Sequence, residues 1–238
     1  MIEINGLTKC YKNRVAVDNL SLTIEDDIIF GLLGLNGAGK TTTIKMLCGI
    51  TSATKGTAFV CGHSLNDVNK VKSIIGISPQ ESAVSPILTV KENLTFVATL
   101  YGFSEAEAKA RAEELMQRLS LSDRAKDKAK SLSGGLCRRL SIAMAIIGNP
   151  KVLFLDEPTL GLDIIARREL WTVIKELKKD MTIVLTTHYL EEAEALCDKI
   201  AIMNSGKLAA VGSAKELIKL SGENNFENAF IKLSGEKL

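Results

Sequence analysis

Apolar positions along the chain follow two periods, and the switch between them divides it into regions. Up to about residue 30 they only loosely alternate with polar ones, at Val15, Val17, Leu20, Leu22 and Ile24, which predicts strands covered on one face. Residues 28–33 are apolar without a break, as a central parallel strand buried on both faces would be. They run straight into a glycine-rich loop, and residues 40–47 read as the helix that follows. Residues 75–78 predict a short buried strand ending near Gln80.

Between residues 86 and 150 the pattern becomes helical. Thr89-x-x-Glu92 and Ser104-x-x-Glu107 are capping boxes, each predicting a helix start. The second of these helices carries Glu105–Lys109, Glu107–Arg111 and Glu114–Arg118 at i,i+4. That predicts a solvated face laced with ion pairs and a narrow apolar side from Leu115 to Leu119. A third helix is predicted after Gly134-Gly135, with Leu136, Leu140, Ala143, Met144 and Ile147 on one stripe. Buried strands return at 152–155 and 183–185, with a helix carrying Leu170, Ile174 and Leu177 between them. Residues 198–211 predict a hairpin turning at Asn204-Ser205-Gly206, and Ser213-x-x-Glu216 caps a last helix. From Ser221 the tail is polar and weakly patterned. There is no internal repeat, Pro-rich linker or low-complexity tract. The order suits an α/β core with a helical lobe inserted in it.

Composition changes this picture little. The chain has 238 residues, 46% hydrophobic and 24% charged, as a folded soluble domain would. A formal net charge of +2 gives no electrostatic case for nonspecific binding to nucleic acid. Five dispersed cysteines without a CxxC pair read as reduced thiols, not as a disulfide frame or a zinc site. The apolar runs at 28–33 and 142–147 are far below the ~18 residues that a membrane span needs. Met1-Ile2-Glu3-Ile4 reads as a strand, not as a signal peptide. Work at a membrane would therefore need recruitment by a partner.

Candidate chemistry changes it greatly. Gly34-Leu35-Asn36-Gly37-Ala38-Gly39-Lys40-Thr41 matches G-x-x-x-x-G-K-[ST] in full, between an apolar strand and a helix, which is the setting that makes the motif specific. Its glycines let backbone N–H groups close around a β-phosphate, and the helix N-terminus adds positive potential. Lys40 would reach the β- and γ-phosphates, and the Thr41 hydroxyl would bind Mg²⁺. Asp156-Glu157 ends a buried strand, where a carboxylate is costly unless it faces a cation. Asp156 is a candidate to hold Mg²⁺ through water. Glu157 is a candidate to orient or deprotonate the attacking water, a role worth roughly 10²–10⁴-fold.

The remaining signals are weak one at a time. A lone Gln after a strand is usually a loop residue, and a lone His is more often structural than catalytic. His188, however, follows Thr186-Thr187 at the carboxyl end of a buried strand, where ligands bind in such sheets. There His188 would touch the γ-phosphate, and Gln80 would reach Mg²⁺ or the water. His63 has no such setting and reads as structural. Leu132-Ser133-Gly134-Gly135 opens a helix and suits an anion site or a plain N-cap equally. Tyr11, beside Lys12, Asn13 and Arg14, is either an adenine-stacking ring or an exposed structural Tyr.

In this order and spacing, residues 1 to about 220 resemble the nucleotide-binding subunit of an ATP-binding cassette (ABC) transporter. The run from Gly34 through Asn36, Gly37, Ala38, Gly39, Lys40, Thr41 and Thr42 resembles Walker A, and 152–157 resembles Walker B. Residues 132–135 resemble the family signature. Gln80 resembles the Q-loop glutamine, Gly161-Leu162-Asp163 the D-loop, His188 the switch histidine and Tyr11 the adenine-stacking aromatic. The wording from Thr186 to Glu194, with Arg138-Arg139-Leu140, resembles the drug-resistance and ABC-2-type export group.

The resemblance implies a P-loop NTPase (RecA-like) core with an N-terminal antiparallel β subdomain and an inserted α-helical subdomain. It implies one domain over 1–238: a core of about 1–85 and 151–220, a helical subdomain of about 86–150 and a short tail, 221–238. It also implies ATP and Mg²⁺, and two cassettes paired head to tail. Each ATP would lie between Lys40 of one and Ser133, Gly134 and Gly135 of the other, with Asp163 nearby. Residues 81–88 would contact a membrane permease at the cytoplasmic face of the cell membrane, and no nucleic acid is expected.

The chain departs from the family pattern at Leu136, where the signature usually has Gln, and at Cys137, where a basic residue is common. Leu35 stands where the glycine loop often has Pro, and Asp26-Asp27 replaces a common Gly-containing turn. None of these removes a phosphate or metal contact. The alternative is a soluble cassette ATPase acting on DNA or ribosomes. Against it stand the short gap between glycine loop and signature, with no long coiled coil, and the single cassette. A regulatory cassette without turnover is disfavoured by intact Lys40, Asp156, Glu157 and His188.

Overall fold

Strands β1 (Ile2–Tyr11) and β2 (Arg14–Ile24) form a bulged antiparallel hairpin. The computed structural model describes residues 1–81 and 83–235. Val15 is exposed, whereas Val17, Leu20, Leu22 and Ile24 are buried. The step from Val17 to Leu20 spans a register shift, with Asn19 at φ 51°, and strict alternation resumes beyond it. The loose alternation in the sequence is thus a β-bulge.

All five residues of β3 (Ile29–Leu33) are buried, and the glycine loop joins it to α1 (Lys40–Leu47). β4 (Lys55–Val60) and β5 (His63–Ser64) complete an antiparallel sheet in the order β2-β1-β4-β5. α2 (Val68–Ile74) leads into β6 (Ile75–Ser78). Helices α3 (Val90–Leu100) and α4 (Glu105–Arg118) open with formed capping boxes, Thr89 with Glu92 and Ser104 with Glu107. α5 (Gly134–Ala145) is followed by β7 (Val152–Asp156), α6 (Ile164–Leu177), β8 (Thr182–Thr187) and α7 (Leu190–Leu196). The hairpin β9 (Lys199–Asn204) and β10 (Lys207–Gly212), then α8 (Ala214–Ser221) and α9 (Phe226–Ser234), end the chain.

The large sheet runs β10-β9-β3-β8-β7-β6, parallel from β9 to β6 with β10 antiparallel at the edge. α1 lies between the two sheets. Its Ile44, Met46 and Leu47 share a core with Ile4 and Leu20 of one and with Phe30, Phe154 and Val184 of the other. The opposite face of the large sheet, through Leu153, Leu155, Ile183 and Leu185, packs on Leu94, Leu115, Leu140 and Ile174 of the helices. Both faces are covered, which is why these strands read as unbroken apolar runs.

Three expectations need correction. In α4 only Glu105–Lys109 forms, at 2.6 Å. Glu107 is committed to its capping box. Arg111 turns instead to Glu114 at 2.6 Å and to the carbonyls of Ile146 and Ile147, and Arg118 pairs with Asp180. The Ile146 and Ile147 carbonyls direct Arg111 and the sequence-distant Asp180 takes Arg118, because a solvated i,i+4 pair offers little gain against them. In α5, Ile147 lies beyond the helix end, and Leu136 and Met144 are only half-buried. The buried face centres on Leu140, Ser141, Ile142 and Ala143, because α5 packs on β6 as well as on α3. The tail is not weakly determined over its described part, because α9 buries Phe226, Ala229 and Phe230; residues 236–238 lie outside the described residues. Ser82, within the expected contact loop 81–88, also lies outside them.

Candidate nucleotide site

The carboxyl ends of β3, β6, β7 and β8 deliver, in turn, the glycine loop, Gln80, Asp156-Glu157 and His188 to one edge of the sheet. Ligands bind at this edge in open α/β sheets. There a cavity of about 440 Å³ is lined by Tyr11, Asn36, Gly37, Ala38, Gly39, Lys40, Thr41, Thr42, Gln80, Glu157 and His188. All of these were candidates from the sequence. Arg14, Ala16 and Leu160 line it too and were missed as site residues. Arg14 was legible as the cross-strand partner of Tyr11 once the hairpin turn at Lys12-Asn13 is placed.

The loop is built for close approach. Gly37 and Gly39 sit at φ 87° and 100°, conformations that a Cβ disfavours. A Cβ on Gly39 would also lie 2.5 Å from the Ala16 carbonyl oxygen. Lys40 is 5% exposed, and its ammonium donates to the carbonyls of Gly34 (2.7 Å) and Leu35 (3.2 Å). It also lies 3.3 Å from Glu157 Oε1. At the other oxygen, Oε2, Glu157 meets His188 Nδ1 at 2.8 Å. One carboxylate is thereby aimed by a lysine and a histidine from different strand ends.

Asp156 is fixed by hydroxyls. Thr41 Oγ1 and Thr186 Oγ1 both donate to its Oδ1, at 2.9 and 2.6 Å. The Thr186 hydroxyl in turn accepts from the Glu157 amide at 2.9 Å, so one side chain orders both acids. A buried cation, an open helix N-terminus and a glycine-lined loop fit a polyphosphate. Thr41, Asp156 and Gln80 offer hard oxygen ligands of the kind Mg²⁺ takes, together with water and phosphate. Among the described residues no three His, Cys, Asp or Glu side chains cluster to hold a metal ion by themselves. The residues therefore fit Mg²⁺ bound together with a nucleotide.

Ser133, Gly134, Gly135 and Asp163 do not reach this cavity. Ser133 caps α5, accepting from the Leu136 amide at 3.4 Å. Asp163 caps α6, accepting from the Ile165 and Ala166 amides at 2.9 Å each. Gly134 and Gly135 face that same helix start, where added Cβ atoms would lie 3.3 Å from Leu162 and 3.1 Å from Ala166. These four residues thus form a second constellation within the chain. Cys48 and Cys197 belong to neither, and burial pushes both thiols up.

The family profile described as ABC transporter matches residues 17–160. The linearmycin resistance ATP-binding protein LnrL of Bacillus subtilis is 40% identical over 224 residues, covering 93% of this chain and 72% of that protein. The Nod factor export ATP-binding protein I of Cupriavidus metallidurans is 40% identical over 220 residues, 92% and 73% of the two chains. The human phospholipid-transporting ATPase ABCA3 is 43% identical over 239 aligned positions, but this chain corresponds to only 14% of it. Among solved structures, the ATP-binding subunit of an ABC transporter superposes with a TM-score of 0.86 at 28% identity, covering 98% and 99% of the two chains. The ATP-binding cassette MJ0796, solved as a dimer bound to ADP and Pi, gives 0.81 at 26% identity, covering 90% and 98%.

Proposed function

The chain belongs to the ABC transporter family as one of its ATP-binding cassettes, and from that we propose that it hydrolyses MgATP to drive export through a separate membrane permease. The Glu157 carboxylate, held between Lys40 and His188 in the cavity lining, carries the hydrolytic part. In this reading Lys40 and the glycine loop bind the phosphates, Thr41, Asp156 and Gln80 hold Mg²⁺, and Tyr11 stacks on adenine. Bound MgATP supplies the transferable phosphoryl group and the neutralising metal. Glu157 orients the water and takes its proton, while His188 fixes the carboxylate and faces the γ-phosphate. The chain acts as a single nucleotide-binding domain, with residues of about 86–150 as its helical subdomain. Ser133, Gly134, Gly135 and Asp163 serve the nucleotide of a second cassette paired head to tail.

Export is supported by two relatives whose names carry resistance and export, of which this chain covers 72% and 73%. Among the described residues no helix is long and apolar enough to cross a membrane. In this reading the chain is held at the cytoplasmic face by its permease. Affinity purification from native membranes in mild detergent, with mass spectrometry of what stays bound, tests this. A stoichiometric polytopic membrane protein is the expected outcome. Recovery without one, on ribosomes, on DNA or alone, would sink the transport assignment and leave the nucleotide site standing.

A further inference from the structure

Arg138 lies outside the cavity, on the first turns of α5, three residues beyond Gly135. Its guanidinium is largely buried, and burial pushes its pKa down from the ordinary arginine value. A charge withdrawn from water needs its donors used. Nη1 donates to the Pro79 carbonyl at 2.7 Å and lies 3.5 Å from Ser78 Oγ. Nη2 donates to the carbonyls of Gln80 at 3.3 Å and Glu157 at 3.2 Å. One rigid fork therefore closes on the main chain leaving both β6 and β7.

The Glu157 backbone needs holding. Its φ of 47° is a left-handed conformation that a side chain disfavours. Thr186 secures the amide of this residue and Arg138 secures its carbonyl. With both ends of the residue fixed, the Cα–Cβ bond has one direction, and the carboxylate meets Lys40 and His188. The same arginine holds the Gln80 carbonyl.

The helix that carries Arg138 is itself fastened to β6. Ser141 Oγ, buried, meets Ser78 Oγ at 2.8 Å. Further along, Gly76 leaves room for nothing larger, since a Cβ there would lie 2.2 Å from the Ala145 carbonyl oxygen. α5 begins at Ser133, Gly134 and Gly135, which do not line the cavity. The helix start and the two strand ends thus form one mechanical piece, joined at its polar end by Arg138.

We propose that Arg138 is a positioning residue for hydrolysis: its guanidinium sets the main chain of Glu157 and Gln80 and ties their placement to the helix that begins at Ser133. This rests on the hydrolytic reading above. Arg138→Met keeps length and removes every donor, while Arg138→Lys keeps the charge without the fork.

Steady-state hydrolysis by the purified chain, with its permease where one co-purifies, reads the effect. For Arg138→Met, kcat is expected to fall by about 10- to 100-fold, the scale of a misaligned catalytic group. KM and the affinity for a fluorescent ATP analogue should stay within about threefold, because no donor to the nucleotide is touched. Arg138→Lys should fall in between. A merely structural arginine would lower the melting temperature without splitting kcat from KM. Parental kcat in Arg138→Met overturns the role, as does a defect confined to KM; if that variant does not fold, parental kcat in Arg138→Lys overturns it. Glu157→Gln in the same assay separates this from the underlying reading. Turnover that survives Glu157→Gln overturns the hydrolytic assignment and Arg138 with it. Turnover lost there but intact in both arginine variants overturns Arg138 alone.

Discussion

Glu192 is a buried acid, 1% exposed, that no phosphate or metal role requires. Trp171 Nε1 donates to its Oε1 at 3.2 Å. Its Oε2 and the fully buried Thr159 hydroxyl meet no partner at good hydrogen-bond geometry among the described residues. Burial pushes its pKa above the usual carboxylate range and the nearby Glu157 adds to this, while Thr187, Thr159 and Trp171 pull the other way. Unfolded, Glu192 ionises in the ordinary range; folded, it keeps its proton to higher pH. Between those two values the folded state binds more protons, so stability falls as pH rises through that window. Glu192→Gln keeps the acceptor for Trp171, gives Thr159 a donor and does not titrate. It should be at least as stable as the parent at neutral pH, with a flatter pH dependence above the carboxylate range. Urea melts at several pH values check this. An equal loss at every pH would mean instead that the folded protein holds Glu192 ionised.

At the scale of elements, what was legible in the sequence is what is encoded locally. The glycine loop, the capping boxes at Thr89 and Ser104 and the buried runs of β3 and β7 each carry their signal within a few residues. The left-handed Glu157, the clamp of Arg138 on two strand ends and the turn of Arg111 toward the Ile146 and Ile147 carbonyls depend on segments distant in sequence. An arginine on a helix reads the same whether it ends in solvent or under a strand. α9 is the clearest case. Its apolar positions Phe226, Ala229 and Phe230 have helical spacing, but polar flanks make so short a stretch unremarkable until its partners are known. Those partners are Leu33, Ala193, Ile200, Ile202 and Leu217, from four other elements. The Asn204 side chain also donates to the Ser234 carbonyl at 2.6 Å. Phe226→Ala should therefore cost roughly 3–5 kcal/mol of stability, the range for a buried Phe. A urea midpoint within error of the parent would show α9 to be dispensable packing. Turnover per folded molecule should change little, since neither Phe226 nor the residues it packs on line the cavity.

At the scale of the whole molecule, the proposed head-to-tail pairing gives the chain two half-sites. One edge offers the cavity, with Lys40, Thr41 and Glu157 in its lining and Asp156 bonded to Thr41. Elsewhere the starts of α5 and α6 lie together, with Gly134 against Leu162 and Gly135 against Ala166. Beside them Ile164 and Ile165 are 69% and 73% exposed, an apolar pair left open where a helix begins. Two such chains related head to tail would bring each half to the other, which one chain cannot do alone. This separates nucleotide binding from assembly. Ser133→Arg removes a helix cap worth about 1 kcal/mol and puts a long cation at a helix N-terminus, where it is unfavourable. It touches nothing in the cavity. Placed in a Glu157→Gln chain, which should accumulate as an MgATP-bound dimer, Ser133→Arg should leave a monomer that still binds MgATP with parental affinity. Light scattering with and without MgATP measures the mass, and a fluorescent nucleotide measures the affinity. If the double variant still dimerises, the second cassette does not use the start of α5. If it loses affinity as a monomer, the two halves communicate inside one chain, along the path that Arg138 would provide.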